Sequence, residues 1–157
     1  MKIQLIVVGK TNSAFLIEGE KEYEKRLKHY CKLEEILIPD LKKGGKLSEM
    51  DLKKKEGDLI LSKLNNSDYL ILLDDKGKSY SSIEFAALIQ QKMISSLKTL
   101  VFVVGGAFGF SDEVYKRVNA KLSLSKMTFS HQMVRLIFKE QLYRAFTILK
   151  GEKYHHD

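Results

Sequence analysis

Apolar residues fall along this chain in two alternating patterns. Short runs at 3–8, 33–38, 69–73, 100–104 and, more weakly, 121–124 have the length and the β-branched and aromatic content of buried strands. Between them the apolar positions recur at helical spacing. Phe15, Tyr23, Leu27 and Tyr30 mark a first helix, and Met50, Leu59, Ile60 and Leu64 mark a lysine-rich second. Ile83, Ala86, Ala87, Ile94 and Leu97 mark a third, which opens with the capping box Ser81-Ser-Ile-Glu84. Ser111-Asp-Glu begins a short fourth helix with acidic residues in the first turn, where the helix dipole favours them. Met133, Val134, Ile137, Phe138, Leu142, Ala145, Phe146 and Leu149 form the apolar stripe of a fifth.

The order β-α-β-α-β-α-β-α-β-α predicts an α/β sandwich: a mostly parallel central sheet with helices on both faces, because parallel strands need crossovers long enough to hold a helix. A single domain spanning 1–157 is expected, and 41–47, rich in lysine and glycine, is the expected flexible loop. Topology rules alone make the sheet doubly wound and unknotted.

Composition narrows the class. The chain has 157 residues, 44% hydrophobic and 30% charged, and lacks an apolar run of the roughly 20 residues that spans a bilayer. Its amino-terminal apolar run is too short for a signal peptide and reads as a first strand, so a cytoplasmic location and no membrane partner are expected. The lone Cys31 has no second cysteine to pair with and reads as a buried small hydrophobe. Net charge is +7, and all of the excess lies between Val114 and Lys153, where nine basic residues meet only Glu140 and Glu152. Such a field attracts a polyanion such as RNA, although a solvated helix face has the same composition.

Candidate chemistry gathers at strand ends, where open α/β sheets bind ligands. Gly105-Gly106-x-x-Gly109 lets the backbone approach a ligand closely, yet matches neither the dinucleotide fingerprint nor the P-loop; a structural turn and a ligand loop both fit it. Asp74 and Asp75 could accept hydrogen bonds from a ribose or a cation, but a turn over 75–78 is the favoured reading. Residues 122–129 alternate apolar and hydroxyl side chains, then lose any period, and the amides of 126–130 could surround a heterocycle. His131 opens the last helix with Arg135 one turn later, so both could face one ligand, or His131 could simply cap the helix. The terminal Tyr154-His155-His156 offers a phenol and two imidazoles, although read alone it is a frayed end.

Together these residues carry a resemblance. Gly105-Gly106-x-x-Gly109, Leu122-Ser-Leu-Ser-Lys-Met-Thr-Phe-x-His-Gln-Met-x-Arg135, Glu140-Gln-Leu-Tyr-Arg-Ala145 and the closing Tyr154-His155 resemble the RlmH-type 23S rRNA pseudouridine N3-methyltransferases of the SPOUT superfamily. The likeness extends to Met1-Lys-Ile, Val8-Gly9-Lys10 and Tyr23-Glu-Lys-Arg-Leu27. It implies a SPOUT-type sandwich with a carboxyl-terminal trefoil knot, a homodimer, S-adenosylmethionine as cofactor and no metal. The implied cofactor site is Leu73, Gly105, Leu124, Ser125, Lys126, Met127, Thr128 and Phe129, with Gly106 and Leu122 beside it. The implied partner is 23S rRNA, presented by the assembled ribosome. Two positions depart from the family pattern: Ser130 stands where proline is frequent, and His156-Asp157 follow the terminal Tyr-His in place of a basic residue.

The implied reaction transfers the sulfonium methyl to N3 of the base, whose proton must leave. On family grounds His155 would accept that proton, Tyr154 would position the base and Arg135 would stabilise charge on the uracil carbonyls. Two other functions share most of these features. One is a SPOUT enzyme acting on tRNA or another rRNA site; the other is a non-enzymatic RNA-binding module that keeps the fold.

Overall fold

The computed structural model describes residues 1–41 and 47–156. Five strands and five helices alternate in the expected order: β1 (Lys2–Val8), α1 (Ala14–Leu27), β2 (Leu33–Ile38), α2 (Glu49–Leu61), β3 (Tyr69–Ser79), α3 (Ser82–Ile94), β4 (Thr99–Val104), α4 (Asp112–Arg117), β5 (Ala120–Ser123) and α5 (His131–Leu149). The expected loop at 41–47 lies mostly outside the described residues. Local chemistry sets several helix starts. The Ser81–Glu84 capping box is formed in both directions, and Ser48, Ser111 and Ser130 each accept a hydrogen bond from a backbone amide of the first turn.

The strands form one parallel sheet in the order β2-β1-β4-β3-β5. Alternation along each strand sends side chains to opposite faces. Leu5, Ile71, Phe102 and Val104 pack with Leu27, Phe85, Phe138 and Leu142 from α1, α3 and α5, while Ile6, Leu70, Leu72 and Val103 pack with Ile60 and Val114 from α2 and α4. This is the expected α/β sandwich, a parallel sheet with helices on both faces.

Two local expectations are corrected. The segment 75–78 is not a turn between elements: β3 continues through it to Ser79, and its pairing with β5 shifts register between Leu73 and Lys78. Gly77 permits this, because a β-carbon there would lie 2.6 Å from the Leu122 amide nitrogen. The local bond expected of a turn survives, with Asp74 Oδ1 accepting from the Lys76 amide at 2.9 Å. Cys31 is half-buried rather than buried, and its surroundings push the thiol up to about 11.

Candidate active site

At the carboxyl ends of β3, β4 and β5 the backbone encloses a cavity of about 730 Å³, a size suited to a ligand of drug or nucleoside dimensions. Leu73 and Asp74 come from β3, Val104 through Phe110 from β4 and the glycine loop, and Leu122 and Leu124 from β5 and the chain just after it. The loop into α5 closes one wall with Ser125, Met127, Thr128, Phe129 and Ser130 before His131 and Val134. Asp75 and Lys76 of β3, Lys53 of α2 and Tyr115 of α4 complete the lining.

The hydroxyl-rich loop is held by its own side chains. Ser123 Oγ donates to the Ser125 carbonyl at 2.9 Å, Ser125 Oγ accepts from the Met127 amide at 2.9 Å, and Ser130 caps α5 through the Met133 amide at 3.2 Å. A serine at 130 thus supplies the local order that a proline would supply by restricting φ. The neighbouring wall is set by close approach: a β-carbon on Gly105 would meet the Phe110 ring at 3.0 Å.

Seven of the residues expected to bind cofactor, Leu73, Gly105, Leu124, Ser125, Met127, Thr128 and Phe129, line this one cavity; Lys126 is exposed and lies off its lining. The cavity combines apolar walls from Leu73, Val104, Leu122, Leu124 and Val134 with the hydroxyls of Ser125 and Thr128. That donor set fits an adenosine-like group, whose flat base needs apolar faces and whose edges need polar partners.

Arg135 is elsewhere. It is 1% exposed and turns inward, donating to the Val8 carbonyl at 2.6 Å and to Thr11 Oγ1 at 3.1 Å. Burial lowers its pKa against the pull of Glu20 and Glu35, but a guanidinium keeps its charge. The expected contact between Arg135 and RNA or a uracil carbonyl is therefore corrected: the side chain ties α5 to the end of β1. His131, one turn earlier, does line the cavity.

The terminal residues are packed rather than frayed. The Tyr154 ring stands edge-on to Tyr143 at 4.8 Å, its hydroxyl donates to Glu140 Oε1 at 3.1 Å, and the Tyr23 hydroxyl lies 3.2 Å away. Arg144 sits over the Tyr154 ring, donates to Glu140 and places NH1 3.3 Å from His155 Nδ1. Behind them Tyr30 donates to Glu152 at 2.6 Å. Burial, the Tyr23 hydroxyl and Glu140 together raise the Tyr154 pKa well above the usual phenol range. Asp157 lies outside the described residues.

This cluster and the cavity lie at opposite stretches of one helix. Glu140 follows His131 by nine residues, or about 13 Å along α5 at 1.5 Å per residue. The pattern of apolar positions gave no sign of the polar side chains that hold this region. Lys139, on the inner face of α5, is fully buried and donates to Glu20, Glu24 and Glu35 at 2.5, 2.6 and 2.7 Å. Glu140 and Arg144 carry the one available signal, an opposite-charge pair at helical spacing.

Comparison with known proteins agrees with the fold. The family described as "Predicted SPOUT methyltransferase" matches residues 1–155. The chain is 58% identical over 156 residues to the "Ribosomal RNA large subunit methyltransferase H" of Christiangramia forsetii, covering 99% of both chains. Proteins of the same name from Parabacteroides distasonis and Bacteroides fragilis are 55% and 47% identical, each over the full length of both chains.

Proposed function

This chain belongs to the SPOUT methyltransferase family, and we propose that it transfers the methyl group of S-adenosylmethionine to N3 of a pseudouridine in large-subunit rRNA. The observation that carries the reading is the convergence of Leu73, Gly105 and the loop from Leu124 to Phe129 on one cavity at the sheet's carboxyl edge. The names of its full-length relatives support the rRNA substrate. When bound, the cofactor supplies an electrophilic methyl and leaves as a neutral thioether while N3 gives up its proton.

The chain's own residues do the rest. The walls around Leu73, Val104 and Leu124 exclude water from the base of the cofactor, and the loop held by Ser125 and Ser130 fixes its edges. The glycine loop and the loop before α5, which both line the cavity, are where the carboxyl-terminal trefoil knot would thread. Tyr154 positions the target base and His155 takes the N3 proton. Because Tyr154 and His155 pack on Glu140 and Arg144, away from the α5 residues that line the cavity, the working unit is a homodimer in which one copy's tail reaches the other's cavity. The basic excess from Val114 to Lys153 meets the rRNA backbone of the ribosome.

Incubation with methyl-labelled S-adenosylmethionine and either free rRNA, separate subunits or whole ribosomes tests the reading. Label is expected at one pseudouridine of the large-subunit rRNA, with whole ribosomes as the best substrate. Label on tRNA or at another rRNA nucleotide would replace the substrate, and no transfer to any of them would overturn the enzyme.

A further inference from the structure

Asp74 stands at the mouth of the cavity and its carboxylate is fixed from two sides. Tyr115 donates its hydroxyl to Oδ2 at 2.7 Å, and the Lys76 amide donates to Oδ1 at 2.9 Å. Asp74 lies inside the register shift of β3 against β5, where the strand is freed from regular pairing beside the lining. Tyr115 is itself braced, edge-on to Phe110 at 5.9 Å and with the Lys121 ammonium 5.6 Å from its ring centre. Each oxygen of this fixed carboxylate has a second lone pair with which to accept from a ligand in the cavity that Asp74 lines.

Its charge state matches that role. Burial pushes the carboxyl up, but the Tyr115 hydroxyl, the Lys76 amide, Asp75 and Lys121 outweigh burial and hold it below the usual carboxylate range. The mouth also carries a half-buried cation, Lys53 of α2, on the same lining. The apolar walls and hydroxyls of the cavity provide for a nucleoside, and of the two carboxylates and two ammoniums on its lining Asp74 and Lys53 are half-buried whereas Asp75 and Lys76 are exposed. A group bearing both charges, an α-amino acid in its zwitterionic form, complements that pair.

We propose that Asp74, steadied by Tyr115, binds the α-ammonium of the amino-acid end of the cofactor at the mouth of the cavity, with Lys53 as the counter-charge for its carboxylate. This assignment rests on the cofactor reading above and adds two binding residues and a positioning residue to it. An N–H cation is favoured over the sulfonium, because only the former can use the directed lone pairs of Asp74. It is favoured over a ribose hydroxyl because the ammonium adds the attraction of an opposite charge to the hydrogen bond.

Calorimetric titration with two thioethers separates these ligands. S-adenosylhomocysteine carries the amino-acid end; 5′-methylthioadenosine shares the adenosine and the sulfur and lacks that end. The wild-type protein is expected to bind the first more tightly. Asp74→Asn should weaken S-adenosylhomocysteine about tenfold, the scale of one charge-assisted hydrogen bond, and leave 5′-methylthioadenosine within about twofold. Lys53→Met should narrow the same gap, and Tyr115→Phe should narrow it by less than Asp74→Asn. A merely structural role moves both ligands together. Equal weakening of the two, or no change in either, overturns the assignment while leaving the cofactor reading intact. Failure of the folded wild-type protein to bind either compound overturns both.

Discussion

Glu56 fills the space that a side chain on Gly106 would need. A β-carbon at Gly106 would lie 2.5 Å from Glu56 Oε2 and 3.1 Å from Oε1, and Glu56 is buried. The next residue of α2, Gly57, packs as closely on Ser111, which caps α4, so one helix turn braces both ends of the glycine loop. Gly106→Ala should therefore cost about 1–3 kcal/mol of stability, the range for overpacking a filled site. Glu56→Ala opens the same space, so the double variant should lose less than the sum of the single losses. Urea unfolding of the three variants checks this; strict additivity would mean that the two residues do not compete for that volume.

How far the sequence reveals this arrangement depends on the range of the forces involved. Helix starts at Ser81 and Ser111 are legible because each cap bonds an amide three residues on, whereas at α5 the cap is Ser130 and not His131, which is the first helical residue. The near-continuous apolar runs of β1 and β4 are legible because both faces of the sheet are covered. The inward turn of Arg135 is not, since its partners Val8 and Thr11 are more than 120 positions away and are reached only through packing. The continuation of β3 past Asp74 is likewise set by a neighbour: Lys78 pairs with Leu122, whatever local turn propensity Asp75-Lys-Gly favours. The cavity lies between these cases. Its glycines and hydroxyls stand out locally, but only the resemblance to a family joins Leu73 to a loop fifty residues later.

Lys139 places a buried ammonium among three carboxylates. Burial lowers its pKa, but the bonds from Glu20, Glu24 and Glu35 outweigh that and raise it above the ordinary lysine value. A raised lysine stabilises the fold fully below its unfolded pKa and ceases to do so as pH climbs through the folded one. Lys139→Met leaves the carboxylates facing one another and should cost about 3 kcal/mol at pH 7, near the low end for a broken buried pair because Glu24 and Glu35 keep partial contact with water. Chemical denaturation from pH 7 to 12 should show the gap between wild type and variant closing above pH ~10.5. A gap that stayed constant would remove Lys139 as its source.

Cys31 should react slowly. Burial pushes its thiol to about 11, so at pH 8 only about one molecule in a thousand carries the thiolate that attacks an alkylating agent. Iodoacetamide labelling of the folded protein is expected to lag a cysteine peptide by at least about tenfold at pH 8, and to rise with each pH unit toward 11. Labelling as fast as the peptide would place the thiol in water.

The terminal pair should divide its work between donor and acceptor. Burial, the Tyr23 hydroxyl and Glu140 raise the Tyr154 pKa, so its phenol stays protonated well past neutrality and can donate a hydrogen bond but not take the N3 proton. That leaves His155, whose Nδ1 faces the purely donating Arg144, so the neutral ring in this pose carries its own proton on Nε2. To act as the base of the proposed reaction the imidazole must withdraw Nδ1 from Arg144. His155→Ala is expected to slow single-turnover methylation by about 10²–10⁴-fold across pH 6 to 9, the range for loss of a general base. Tyr154→Phe should slow it less, about tenfold, the scale of one hydrogen bond to the base, with no new dependence on pH in that window. Full activity of His155→Ala across the range would assign the proton to another acceptor, and His131, already on the cavity lining, would be the next residue to replace.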